Sequence, residues 1–316
     1  METFSTDIYE IWSKSKNVVI STHTNPDGDA VGSSLALAMA VAEIGVKPIV
    51  LIEEYSEKYD FIKGTEYIYK GDYDELEPDV FIAVDCGSKE RLGQAEKVFD
   101  RAKTTFNIDH HISNNGYAMD NVVQGGASSA CEVVYDVIKT FCQVNKDIAE
   151  ALYTGIVTDT YGFKYNATSR HTMEIGGQLI EMGIAFSEIQ DRVLYEHSKT
   201  EVEIFKKALN NFKIDGKVAY TTLTLDEMAE CGATNKDLDG IVEYILNIQG
   251  VDVSTFVYQK GENLCKISLR SKKIDVNEIA SKFGGGGHIL ASGANFEGTI
   301  DNALNSVLTE IKKRVE

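Results

Sequence analysis

His23, Asp27 and Asp29 fall within seven residues, in the run His23-Thr-Asn-Pro-Asp27-Gly-Asp29-Ala-Val-Gly-Ser. Carboxylate and imidazole donors this close together suit a divalent cation. The run follows a β-branched segment, Asn17 to His23, that reads as a strand, and ligands of open α/β sheets bind beyond the carboxyl ends of strands. Gly28 is expected to let the backbone turn between the aspartates, and Pro26 to stiffen the approach. A structural explanation competes: a polar turn in which Asp29 N-caps the helix expected over Ala30 to Ile44. A calcium loop does not fit, because Ala38 stands where such a loop needs its twelfth-position glutamate.

Three more places carry the same chemistry. Asp85 closes the apolar run Val80 to Asp85 (VFIAVD), which reads as a buried parallel strand. Asp109-His110-His111 closes another strand-like run, Thr104 to Asp109. Adjacent histidines point different ways, so one can bind metal while the other faces a substrate. Asp159 sits in Thr158-Asp159-Thr160-Tyr161-Gly162 at the end of an expected helix, where the helix dipole disfavours an acid unless something holds it. His23, Asp27, Asp29, Asp85, His110 and Asp159 together supply four carboxylates and two imidazoles, and four negative charges balance two divalent cations. The mixed donor set favours Mn2+, with Co2+, Fe2+, Zn2+ or Mg2+ as alternatives. Paired ions about 3.5–4 Å apart activate water and clamp an in-line phosphoryl displacement.

The elements that must position these residues alternate strand and helix through the first half of the chain, which argues for α/β architecture with a doubly wound, mostly parallel sheet. Helices are expected over Gly93 to Lys103, Ser128 to Cys142 and Asp147 to Thr158, and a strand over Lys47 to Ile52. Strand order is not readable. Beyond a helical stretch, Lys217 to Leu225 reads as a strand and Asp237 to Ile248 as a helix. Val251 to Gln259 and Asn263 to Arg270 read as an antiparallel pair joined by Lys260-Gly261-Glu262. Val276 to Phe283 reads as a helix, Ala291 to Phe296 as a short strand and Ile300 to Arg314 as a closing helix. The expected organisation is a metal-binding domain over 1–195, a helical linker over 196–212 and a smaller α+β domain over 213–316.

With a net charge of −18, the chain cannot rely on bulk attraction to long polyphosphate, so a nucleotide must be held by a few placed cations or by metal. The five cysteines are odd in number and show no C-x-x-C, which disfavours a disulfide framework or a structural zinc site. The N-terminus lacks a signal-peptide core, and the longest clean apolar run, Leu35 to Ala42, is too short for a membrane span. A cytoplasmic protein is expected.

These motifs resemble the DHH/DHHA1 phosphoesterase family, its oligoribonuclease and pAp-phosphatase (nano-RNase) branch most of all. A fifth motif, Gly285-Gly286-Gly287-His288 with Ala291-Ser292-Gly293, is similar to the DHHA1 signature, so the resemblance runs from residue 23 to 293. It implies that His23 and Asp27 hold one metal, that Asp29, His110 and Asp159 hold the other, and that Asp85 bridges them. His111 then faces the scissile phosphate, and Asp109 orients a histidine. In the family a glycine commonly follows Asp159-Thr160, whereas here Tyr161 precedes Gly162. Gly285, Gly286 and Gly287 would let backbone N–H groups approach a phosphate, with Arg270, His288 and Ser292 beside them; the alternative is a flexible linker. Arg270, Lys272 and Lys273 form the compact basic cluster of the second domain.

The implied activity is two-metal hydrolysis of oligoribonucleotides of about two to five residues, dephosphorylation of pAp, or both. Short RNA or DNA or pAp is the expected partner, bound in a cleft between the domains; long nucleic acid and membrane are not expected, and homodimerisation is left open. A stand-alone pApA or cyclic-di-AMP phosphodiesterase, or a non-catalytic nucleotide sensor, are the alternatives. A family II pyrophosphatase lacks the glycine signature. RecJ-like exonucleases carry extra nucleic-acid-binding domains, and membrane-bound cyclic-di-AMP enzymes carry sensory and transmembrane segments.

Overall fold

The computed structural model describes Phe4 and residues 7–315, and the chain divides into two compact units, Met1–Glu196 and His197–Glu316. The first unit is built from α1 (Ile8–Lys14), β1 (Val18–Ser21), α2 (Gly28–Glu43), β2 (Pro48–Leu51), β3 (Val80–Val84), α3 (Glu96–Arg101) and β4 (Thr104–Asp109). It continues with β5 (Asp120–Val123), α4 (Ala130–Ile138), α5 (Lys146–Thr160), α6 (Arg170–Glu181) and α7 (Phe186–Gln190). The strands form one all-parallel sheet in the order β2-β1-β3-β4-β5. Successive side chains of a strand point to opposite faces, and both faces here are covered. Val18 and Ile20 pack into the cluster formed with α2, α4 and α5, whereas Val19 and Phe81 pack into a second cluster with Leu92, Val98 and Phe99. The chain reverses its direction across the sheet between β1 and β3, and a crevice at such a switch point, outside the carboxyl ends of the strands, is where this architecture binds ligands.

Some boundaries differ from the sequence reading for physical reasons. Helix α2 begins at Gly28 with Asp27 as its N-cap, so the cap is not Asp29. Gly28 is required by close packing rather than by a turn, since a Cβ there would lie 2.5 Å from the Thr158 hydroxyl oxygen. Gly93, at φ 57°, breaks the segment read as one helix, and α3 starts only at Glu96. Strand β5 was not expected; it starts on two polar residues, Asp120 and Asn121.

The second unit opens with α8 (Lys199–Asn210), whose Ile204 and Ala208 are buried against Leu223, Met228 and Phe256. It continues with β6 (Lys213–Asp215), β7 (Val218–Leu223), α9 (Leu225–Glu230), α10 (Ile241–Leu246), β8 (Val253–Gly261) and β9 (Leu264–Ser271). The last elements are α11 (Asn277–Ser281), β10 (Gly286–His288), β11 (Ala291–Glu297) and α12 (Ile300–Lys312). The sheet order is β10-β11-β9-β8-β7-β6, antiparallel except for the β7–β8 pair. Strand β8 runs on to Gly261 through an irregularity, so the β8–β9 turn is tighter than the Lys260-Gly261-Glu262 connection expected. The glycine run is not a linker: Gly286–His288 is a strand paired with β11. Among the described residues no helix is long and apolar enough to cross a membrane.

Candidate metal centre

Each donor arrives from the end of an element. His23 follows β1 and is buried; its Nδ1 lies 2.8 Å from the Thr24 carbonyl, which fixes the tautomer with Nε2 free to ligate. Asp27 uses Oδ1 to accept from the amides of Asp29 and Ala30, both at 3.1 Å. The buried Asp29 lies against the first turn of α4, where the Ala130 and Cys131 amides donate to its two oxygens at 2.6 and 2.9 Å. Helix N-termini favour such an anion. Asp85 follows β3 in a left-handed conformation, φ 47°, uncommon for a residue with a side chain. Strand β4 delivers Asp109 and, just beyond it, His110 and His111. Asp159 comes from the last turn of α5.

These groups meet. His23, Asp27 and Asp85 offer ligand atoms that all lie within 4.8 Å of one another, and so do Asp29, His110 and Asp159. His110 Nε2 stands 3.4 Å from Asp159, 3.6 Å from Asp85 and 3.8 Å from Asp29, while His23 Nε2 stands 3.4 Å from Asp85. Asp85 therefore touches both groups, and also forms a third one with His110 and His111. Asp109 is fully buried and takes no place among the donors. It accepts from His111 Nδ1 at 2.8 Å and from Asn114 Nδ2 at 2.6 Å. Asn114, which bonds Asn107 Oδ1 at 2.7 Å as well, and the α4 amides went unrecognised in the sequence.

Without cations, this density of acid holds protons. Burial and the neighbouring Asp85 carboxylate raise Asp29 to about 7; burial and the Asp29 charge raise Asp159 to about 9. Burial alone would lower His110, but the hydrogen bond to Asp85 and the carboxylates of Asp29 and Asp159 prevail and raise it to about 10. Asp85 is the exception: burial opposes its charge, yet hydrogen bonds with His110 and His23 hold it down to about 2. The donor chemistry fits two divalent cations, which would take the place of the protons.

The first unit's residues 17–156 match the N-terminal domain of the DHH family, and residues 215–316 match the DHHA1 domain. The chain belongs to the DHH family. It is a hydrolase of phosphoester bonds, and DHH-family phosphoesterases depend on divalent metal. The chain is 28% identical over 310 residues to a bifunctional oligoribonuclease and PAP phosphatase of Thermus thermophilus, covering 94% of this chain and 90% of the relative. A Bacillus subtilis protein of the same description is 27% identical over 303 residues, covering 92% of each chain. A crystal structure of an exopolyphosphatase-related protein from Bacteroides fragilis superposes with a TM-score of 0.88 at 28% identity, over 96% of this chain and 94% of that one.

In the second unit, the register Arg270–Ala291–His288 across β9, β11 and β10 puts Arg270 and His288 on one face of the sheet. His288 is exposed. The basic cluster is less available than its sequence suggests. Arg270 Nε donates to Glu243 at 2.7 Å, Lys272 Nζ to the Leu246 and Val251 carbonyls at 2.6 and 2.9 Å, and Lys273 Nζ to Asp252 at 3.0 Å. Ser292 is buried and donates its hydroxyl to the His288 carbonyl at 2.8 Å, which ties the hairpin. Gly287, at φ 149°, has no room for a Cβ, which would approach the Ala291 carbonyl to 2.6 Å; at Gly285 the Gly293 carbonyl is in the way.

Proposed function

We propose that this protein hydrolyses short oligoribonucleotides of about two to five residues to mononucleotides and removes a phosphate from pAp, using two divalent ions. One observation carries the reading. Asp85 stands within reach of His23 and Asp27 on one side and of His110, beside Asp29 and Asp159, on the other. His23, Asp27 and Asp85 would hold one ion; Asp29, His110, Asp159 and Asp85 the other. The ions, Mn2+ by the balance of oxygen and imidazole donors, would supply an activated water and neutralise charge developing on phosphate oxygens.

The chain's own residues do the rest. Asp109 engages His111 Nδ1, so Nε2 is the ring atom left to face the substrate and protonate the departing oxygen. The α4 amides and the Thr24 carbonyl hold Asp29 and His23 in place. In the second unit, His288 and Arg270, on one face, would bind a terminal phosphate beside the backbone of Gly285, Gly286 and Gly287, with Ser292 fixing the hairpin. Short substrates are favoured because a chain of net charge −18 meets a long strand with a mostly acidic surface. The names of the Thermus and Bacillus relatives support the substrate class, and we place the enzyme in the cytoplasm. The test is a product assay with Mn2+, comparing pAp, pApA and labelled RNA of about 2 to 24 nucleotides. Turnover of pAp and dinucleotides with steep decline beyond about five residues is expected. A 24-mer degraded as fast as a trimer would replace the reading with a processive exonuclease, and turnover of pApA alone would favour the dinucleotide phosphodiesterase.

A further inference from the structure

Three consecutive residues beyond α5 stand at positive φ: Tyr161 at 50°, Gly162 at 67° and Phe163 at 66°. Two of them are aromatic, and bulky side chains are genuine outliers in this region. Such strain persists only where the surroundings over-determine it, and here they do. The carbonyl of the buried Thr160 accepts from the amides of Lys164 and Tyr165 at 2.9 and 3.0 Å, and its hydroxyl accepts from the Phe163 amide at 2.9 Å. Gly162 N donates to the Val157 carbonyl at 2.8 Å. Phe163 turns inward, 6.1 Å from the Tyr153 ring, and lies over Gly176, where a Cβ would come within 2.9 Å of it.

A loop held this way presents Tyr161 and Tyr165 outward. They are 41% and 47% exposed, with rings stacked at 14° and centroids 5.6 Å apart. The Lys164 ammonium lies 5.2 Å from the Tyr161 ring centre. Tyr161 follows Asp159 by two residues, so their Cα atoms are no more than about 7.6 Å apart. Neither ring belongs to a core cluster, and the strained segment that carries Tyr161 begins two residues after Asp159. A flat, exposed aromatic surface beside a cation is the chemistry that takes a nucleobase with an adjoining phosphate. The two rings are already in contact, so a base would add to an outer face rather than slip between them.

We propose that Tyr161 and Tyr165 form a stacking platform for a nucleobase of the substrate, with Lys164 beside its phosphate. This rests on the phosphoesterase function above and names the aromatic groups that read the substrate. Stacking accepts any base, which suits an enzyme that clears short fragments whatever their sequence. It also supplies affinity that the acidic chain cannot draw from lysine and arginine.

The test compares binding of AMP and ribose 5-phosphate to the full-length, Mn2+-loaded protein by calorimetry. Both ligands carry the phosphate and only one carries a base. Wild type should prefer AMP by about tenfold, within the range stacking gives. Tyr161→Ala/Tyr165→Ala should lose that preference, and Tyr161→Phe/Tyr165→Phe should keep it. Should the double alanine variant fail to fold, Tyr165→Ala alone, outside the positive-φ residues, should lose part of the preference. Equal affinities in wild type, an unchanged preference in the alanine variants, or equal weakening of both ligands would overturn the platform. Kinetics separate this from the parent reading. Wild type inactive on pAp and dinucleotides with Mn2+ contradicts the proposed function itself. An active wild type whose dinucleotide KM is matched by the alanine variant contradicts only the platform.

Discussion

In the first unit, three groups of carboxylates and imidazoles each bring their ligand atoms within 4.8 Å of one another, with Asp85 common to two of them, and the ion pairs that Asp29, Asp85 and Asp159 make among the described residues are with histidines. In the second unit, acids pair with lysine or arginine: Arg270 with Glu243, Lys273 with Asp252, Lys282 and Lys313 with Glu310, Lys312 with Asp215. The contrast separates two uses of charged residues. Matched pairs hold a fold in place or keep it soluble, and exposed ones contribute little. Four carboxylates gathered on two histidines, Asp29 and Asp85 of them buried, make sense when cations complete them. Surplus charge, more than the presence of charge, locates the chemistry.

The largest expected effect breaks the cluster at its shared member. Asp85→Ala should lower turnover by about 1000-fold or more, the equivalent of several kcal/mol of lost electrostatic stabilisation. Asp109→Ala, which frees His111 and Asn114 but removes no candidate metal ligand, should cost about 10- to 100-fold. Steady-state kinetics on pAp give both values, and a reversed ranking would move the centre of the site away from Asp85.

The second expectation concerns pH. Asp29 and Asp159 titrate higher in the fold than in the unfolded chain, at about 7 and about 9, and His110 also does, at about 10. A group with a raised folded pKa stabilises fully below its unfolded pKa, and the contribution is lost as pH rises through the folded value. The metal-free protein should therefore melt several degrees lower at pH 9 than at pH 5. Mn2+, which displaces the protons, should give its largest gain in Tm at the high-pH end. Asp85, held at about 2, adds stability lost only as pH falls toward that value. A metal-free Tm that rises from pH 5 to pH 9 would mean that the cluster is not strained by its own charge.

A smaller effect sharpens the contrast from the other side. Arg270→Ala should raise KM about tenfold through the loss of a charge-assisted contact to phosphate, with metal content unchanged. If its pairing with Glu243 is instead its whole role, KM will stay put and stability will fall by no more than about 1 kcal/mol.

Three of the candidate ligands were legible because each stands at the end of an apolar run: His23 after β1, Asp85 after β3 and His110 just beyond β4. What holds them was not. Asp29 is braced by amides 101 and 102 residues away, a distance no local pattern reports. Lys272 and Lys273 read as free cations because their partners, the Leu246 and Val251 carbonyls and Asp252, lie 21 to 26 residues upstream. Strands β6 and β10 are short and exposed throughout, so they lack the alternation by which strands are recognised. Helix α9, by contrast, could have been found: Thr224-Leu-Asp-Glu227 is a capping box, reciprocal in the structure.

We propose the first unit's cluster as a two-cation site serving phosphoester hydrolysis. Titrating Mn2+ into the metal-free protein by calorimetry, while following pAp and dinucleotide hydrolysis on the same samples, tests it directly. Two ions per chain are expected, with activity absent in excess EDTA and appearing as the second ion binds. A single bound ion, or full turnover in excess EDTA after thorough dialysis, would contradict it.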